Sequence, residues 1–197
     1  MHHSSEIVTP PIETRRAGVG DLDAVMADVI AGFASYVSFA QTGWKQPNVA
    51  ANRDFTAEIL ADEGTWALLA TVDGAPVGHV AFMPGRRRAA GDRNKRWSER
   101  ELVPGLAHLW QLFVLPDWWG RGVAPLLHDA AVGEMRARGY GNARLFTPSL
   151  HARARRFYER RGWAFIDEEH NDDLDLTMAE YRLDLGQAPG PSSQPSR

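Results

Sequence analysis

Residues 109–124 constrain the fold more than any other stretch, reading Leu-Trp-Gln-Leu-Phe-Val-Leu-Pro-Asp-Trp-Trp-Gly-Arg-Gly-Val-Ala. An apolar strand over 109–115 is stopped by Pro116, and a turn carrying Gly120 and Gly122 opens a helix predicted over about 122–138, which ends at Gly139. A strand, a turn and a helix in succession read as a crossover unit, which together with the antiparallel pairs elsewhere in the chain indicates one α/β layer domain and not a bundle or a sandwich. The turn also aims unpaired backbone N–H groups and the positive end of a helix dipole at one point. An anion, most simply a phosphate, suits that point, while the bland alternative is a tight turn with no ligand. The phosphate loop of nucleotide triphosphatases requires Gly-Lys-Ser/Thr, and the dinucleotide fingerprint requires Gly-x-Gly-x-x-Gly; neither is present.

The flanking segments extend the pattern. Ile12-Glu13-Thr14-Arg15 reads as a first strand, and Leu22, Val25, Met26, Val29, Ile30 and Phe33 recur at helical spacing. Phe55, Ile59 and Leu60 predict a second, shorter helix, with a loop containing Trp44 and Pro47 between the two. Residues 66–72 and 76–83 read as an antiparallel pair joined at Asp73-Gly74. Residues 85–100 carry Arg86, Arg87, Arg88, Arg93, Lys95, Arg96 and Arg100 and read as a long exposed loop, which meets an acidic acceptor, the phosphate of a ligand, or only water. Strand 142–147, a helix from Pro148-Ser149 through Arg161 with Ser149 as N-cap, and strands over 163–166 and 177–185 complete the order βααβββαβαββ. We expect one domain over 12–185, a flexible N-terminus over 1–11, and a disordered tail over 186–197, where Pro, Ser, Gln and Gly dominate.

Composition removes several function classes. Without cysteine there is no thiol nucleophile, no Cys-ligated zinc and no disulfide. A formal charge of -3 offers no global attraction to nucleic acid. No apolar run approaches the ~20 residues of a membrane helix, and a start of Met-His-His-Ser-Ser-Glu lacks a signal-peptide pattern, so the expectation is a cytoplasmic protein. Asp172, Asp173 and Asp175 lack metal-ligand loop spacing, and no metal is expected.

A second constellation follows one helix and one strand later: His151-Ala-Arg-Ala-Arg-Arg-Phe157-Tyr158-Glu-Arg-Arg-Gly162-Trp163. With it the chain resembles the GNAT (Gcn5-related) N-acetyltransferase superfamily. Residues 116–124 look like that family's acetyl-CoA pyrophosphate loop, Gln/Arg-x-x-Gly-x-Gly/Ala, and residues 157–163 are similar to its Phe-Tyr-x-x-x-Gly-Phe helix. The resemblance covers residues 12–185. It implies a single α/β domain whose mixed, helix-flanked central sheet splays to admit an acyl-CoA. It further implies that Gly120, Arg121, Gly122, Val123 and Ala124 cradle the pyrophosphate of acetyl-CoA, and that the main chain of Leu112, Phe113 and Val114 pairs with the pantetheine arm. Two positions depart from the family pattern: Trp119 stands where Gln or Arg is usual, and His151, at the mouth of the cofactor site, stands where Asn is frequent.

The resemblance implies transfer of an acetyl group to an amine on a small molecule or a protein, by a monomer or a homodimer. Thioester aminolysis needs backbone donors for the oxyanion and an acid near the departing sulfur. Tyr158 matches the family's acid, against a reading as a core-edge aromatic. For a base, His108 and His79 have suitable ordinary pKa values, with a water chain as the alternative. His128 is expected on the surface of the helix that follows the turn. The runner-up is a non-catalytic acyl-CoA-binding or regulatory domain, favoured by Trp119 and His151; transfer of a longer or carboxylated acyl chain is a third reading.

Overall fold

A computed structural model describes residues 11–88 and 99–186. The chain runs β1 (Glu13–Arg16), α1 (Leu22–Tyr36), α2 (Val49–Ala61), β2 (Trp66–Val72), β3 (Ala75–Arg86), β4 (Leu102–Val114), α3 (Val123–Ala137), β5 (Asn142–Pro148), α4 (Ala152–Glu159), β6 (Ala164–Asn171) and β7 (Leu176–Asp184). The strands form one seven-stranded sheet in the order β1-β2-β3-β4-β5-β7-β6. Only β4 and β5 are parallel, the crossover being made by α3; every other pair is antiparallel. The element order is the one the sequence predicts, while the expected flexible N-terminus and disordered tail fall almost wholly outside the described residues.

The sheet is covered on both faces. On one, α3 and α4 cover a core that includes Val80, Phe82, Leu109, Leu127, Met135, Leu145 and Tyr181, all nearly inaccessible to solvent. On the other, α1 brings Val25, Val29 and Phe33 against Ala81, Leu176 and Met178. The loop after α1 contributes here too: Trp44 is buried, its indole donating to the Leu174 carbonyl at 2.7 Å. A Cβ at Gly32 would lie 2.1 Å from the Phe113 ring, so this glycine sets how closely α1 approaches β4.

Three local expectations change. The β3–β4 hairpin is longer than predicted: β3 continues to Arg86, β4 begins at Leu102, and Arg86 pairs with Leu102. Charged residues occupy that extension because a two-stranded ribbon pairs its backbone whatever its side chains, leaving only 89–98 of the expected loop outside the described residues. Helix α4 starts at Ala152 with His151 at its N-cap position, not Ser149, whose hydroxyl is buried and makes no hydrogen bond among the described residues. His128 is not on the surface but 3% exposed, accepting at Nε2 from the Trp163 indole at 2.9 Å, with Nδ1 against Asp129. Period alone misses this because Phe157 and Tyr158 of α4, with Trp163 after it, cover the side of α3 that the isolated helix shows to solvent.

The sheet parts at its centre. Ala81 pairs with Gln111 and Phe82 with Leu109, so Trp110 is an extra residue on β4. Pairing between β4 and β5 runs from Leu106↔Asn142 only to Leu109↔Leu145, although β4 continues to Val114 and β5 to Pro148. A bulge of this kind bends its strand and increases local twist. Beyond it β4 turns away from β5, and the splay expected for the sheet follows.

Candidate active site

The split between β4 and β5 opens into a cleft of about 440 Å³ that passes through the sheet. On the α3/α4 side it is framed by Trp118, Trp119, Gly120, Gly122, Ala124 and Pro125, by Arg153 and Phe157 of α4 and by Arg160 at its C-cap. On the α1 side it reaches Gly32, Ser35 and Tyr36, with Trp110 and Phe146 between. Its wall is the strand segment holding Gln111, Leu112, Phe113 and Val114.

At the glycine turn, Gly120 has φ 80° and Gly122 φ 88°, both left-handed. A Cβ at either would meet no atom within 4 Å, so backbone conformation and not crowding demands glycine. Neither main-chain N–H has an acceptor among the described residues, and the first-turn N–H groups of Val123 and Ala124 lack intrahelical partners by geometry. These donors at the positive end of α3, beside Arg153 and Arg160, suit a pyrophosphate, which is the test of fit for a coenzyme A thioester. Arg121 lies outside the lining, its guanidinium over the Trp118 ring at 5.2 Å. The Val123 side chain is wholly buried in the core, leaving only its backbone for the turn.

Trp119 has its own role. Its indole donates to the Val114 carbonyl at 2.7 Å, and the Arg153 guanidinium stacks over its ring at 4.8 Å. The residue thus fastens the turn to the end of β4 and steers a cation toward the cleft. It also occupies the Val114 carbonyl, so of the three strand residues expected to meet a pantetheine arm, Val114 has one polar group less to offer.

Two phenols face the cleft. Tyr158 and Tyr36 both line it, and neither hydroxyl is hydrogen-bonded among the described residues. Burial raises the pKa of each, and for Tyr158 the neighbouring Tyr36 raises it further, so both keep their protons well past neutrality. Sequence reading missed Tyr36, although it continues the helical spacing of Val29 and Phe33. Arg153 and Arg160 were missed as well; the signal was their separation of two helical turns on the face that carries Phe157.

The histidines divide differently from expectation. His151 lines the cleft, stacked on Phe39 with centroids 4.2 Å apart, and burial followed by Arg153 lowers its pKa to about 4. His79 is fully buried, with Nδ1 on Asp28 and Nε2 on Gln111, both at 2.9 Å. His108 does not reach the cleft. Its Nδ1 lies 3.2 Å from the Arg144 carbonyl, its ring meets that of Phe146, and burial with Arg144, Arg88 and Arg182 nearby drives its pKa well below the ordinary value. A weakly basic imidazole outside the lining is a poor base, which corrects the role expected of it. The cause is register: the residues of β4 nearest the opening are 110–114, beyond the bulge.

The Acetyltransferase (GNAT) family model matches residues 24–163. An uncharacterized N-acetyltransferase of Archaeoglobus fulgidus is 26% identical over 147 residues, covering 75% of this chain and 89% of that protein. Among solved structures, yncA of Salmonella typhimurium, determined with its cofactor acetyl-CoA, superposes with a TM-score of 0.62 at 16% identity over 93% of this chain and 99% of that one. The paia N-acetyltransferase of Thermoplasma acidophilum, in complex with coenzyme A, gives a TM-score of 0.60 at 15% identity over 86% of this chain and 98% of that one. A split sheet with a glycine turn at the head of α3, together with a family match spanning more than half of the sequence, assigns the chain to the GNAT acetyltransferase family.

Proposed function

We propose that this protein transfers an acetyl group from acetyl-CoA to the amine of an acceptor by direct attack on the thioester. The single observation that carries the reading is the cleft through the sheet, with a cluster of anion-binding donors at one end and two proton-bearing phenols inside it. The coenzyme supplies an activated acyl carbon and a thiolate leaving group. The backbone N–H groups of residues 120, 122, 123 and 124, with Arg153 and Arg160, hold its pyrophosphate. The free edge of β4 over Leu112 and Phe113 orients the pantetheine arm, and the apolar walls at Trp110, Phe113, Phe146 and Phe157 exclude water.

During transfer the amine nitrogen bonds to the acyl carbon and the carbon–sulfur bond breaks. Tyr158 gives its phenolic proton to the sulfur and is reprotonated from solvent, while the new amide sheds its extra proton to water. No histidine is needed as base, since an amine that enters deprotonated needs no protein group to activate it. The direct test is thiol release from acetyl-CoA with a panel of amines, alongside calorimetric titration of acetyl-CoA. Binding without thiol release from any amine would favour the non-catalytic acyl-CoA-binding reading, for which Trp119 in place of Gln or Arg is the specific observation. Absence of binding would reject both.

A further inference from the structure

Three adjacent strands set a row of basic side chains across one face of the sheet. His108 on β4 is in register with Arg144 on β5, and Arg144 with Arg182 on β7. Their chain neighbours Ala107, Leu109, Ala143, Leu145, Tyr181 and Leu183 all belong to the core under α3 and α4. The alternation of side chains therefore points the row to the opposite face, the one that α1 covers. Arg88, from the end of the β3–β4 hairpin, joins it by lying over the Phe146 ring at 4.1 Å.

This arrangement costs energy as it stands. Like charges directly opposite one another on antiparallel strands repel. Arg144 is 4% exposed and, among the described residues, makes no ion pair; its one side-chain hydrogen bond among them goes to the Arg86 carbonyl at 2.9 Å, and its Nε has no partner there. Burial, with Arg182 next, lowers its pKa to about 10. The carboxylates nearby are already engaged: Glu180 with Arg182 at 2.5 Å and Glu169 with Arg88 at 3.5 Å. Arg88 and Arg182 remain partly open, at 28% and 39% side-chain exposure, so the row has a mouth and a buried floor.

Its position relates it to the cleft. Arg144 and Phe146 share a face of β5, and Phe146 lines the cleft, so the row lies two residues along the strand, about 7 Å from Phe146 at the cleft wall. We infer that the acceptor carries an oxyanion group, a carboxylate or a phosphate, several bonds from its reactive amine, and that Arg144, Arg182 and Arg88 receive it. This rests on the acetyltransferase reading for the amine, though not for the anion. The arginine fork matches either oxyanion, and a bound anion relieves the repulsion across β5 and β7.

The test has two arms. In the first, thiol release from acetyl-CoA is compared for 4-aminobutyrate against 4-aminobutanamide and for phosphoethanolamine against ethanolamine. The anionic member of at least one pair should show a kcat/KM at least ~10-fold higher, and which pair shows it separates carboxylate from phosphate. Arg182→Ala and Arg88→Ala should reduce that preference to within about twofold, with calorimetric affinity for acetyl-CoA unaltered. In the second arm, inorganic phosphate at constant ionic strength should raise the melting temperature, and Arg144→Gln or Arg182→Ala should reduce the rise, the remainder belonging to the glycine turn. Equal rates within both pairs, or a phosphate effect that these variants leave undiminished, overturns the inference. If the acetyltransferase reading itself fails, no amine releases thiol and acetyl-CoA does not bind, yet the phosphate arm still decides on the row.

Discussion

Replacing Tyr158 by Phe separates chemistry from packing more sharply than any other change to this site. The ring would keep its contacts with Phe157, Trp163 and Tyr181, at centroid distances of 5.3, 5.9 and 6.4 Å. The hydroxyl opens on the cleft without a hydrogen-bond partner among the described residues, so its removal strands no donor or acceptor elsewhere. A substitution that leaves the packing intact and unpairs nothing is worth no more than about 0.5 kcal/mol, and the variant should therefore match the parent in thermal stability. If the hydroxyl protonates the departing thiolate, kcat should fall about 100-fold, equivalent to about 2.7 kcal/mol of transition-state stabilisation. The raised pKa adds a condition on the parent enzyme. A phenol held protonated by burial stays competent as an acid above pH 10, so kcat should show no falling limb from this group between pH 7 and 10. Thiol release under single-turnover conditions is the assay, because slow product release would hide a chemical defect. A folded Tyr158→Phe protein with near-parental single-turnover rates would refute the reasoning. A loss found instead in Tyr36→Phe would move the role across the cleft.

Gly122→Ala forces a side chain into a left-handed conformation at φ 88° with no atom to clash with, costing about 1–2 kcal/mol of stability and weakening acetyl-CoA at least ~10-fold; unchanged calorimetric affinity in the folded variant would remove the turn from the cofactor site. Trp163→Phe deletes the 2.9 Å donor to His128 and leaves a buried imidazole nitrogen unpaired, so unfolding in urea should become easier by about 1–3 kcal/mol with no change in m-value, and a loss below 0.5 kcal/mol would contradict this. Acidification should destabilise the fold. His108, His128 and His151 all have native pKa values below their unfolded ones, so the unfolded chain binds more protons, and stability complete above pH 6.5 should fall toward pH 4, by at most about 1.4 kcal/mol per pH unit for each group. A melting temperature that is flat from pH 7 to 5 would reject the burial of these rings.

The catalytic assignments differ in how far they could be read from the chain. The glycine turn was legible because its requirement is local: positive φ at two positions and a helix beginning at once are properties of residues 120–124 alone. Tyr158 could be named a candidate only through the companion residues Phe157, Gly162 and Trp163, since an isolated tyrosine on a helix carries no chemistry. His108 was misjudged because its usefulness depends on which part of β4 faces the split. That is decided by the bulge at Trp110, which no periodicity announces. His128 was misplaced for the same kind of reason, its helix face being covered by elements that follow it in sequence.

The arginines show the limit most clearly. The charge run from Arg86 could be seen in the sequence, but Arg144 and Arg182 could not be attached to it, since each stands alone in its own strand. The sequence by itself determined the order of elements, the crossover unit and the place of the glycine turn, because hydrophobic period, proline stops and glycine dihedrals act over a few residues. Tertiary structure alone decided which side chains share the cleft, which histidines lose their basicity and which arginines line up across β5 and β7. Those properties follow from strand register and burial, and both are set by pairing partners that lie tens of residues apart along the chain.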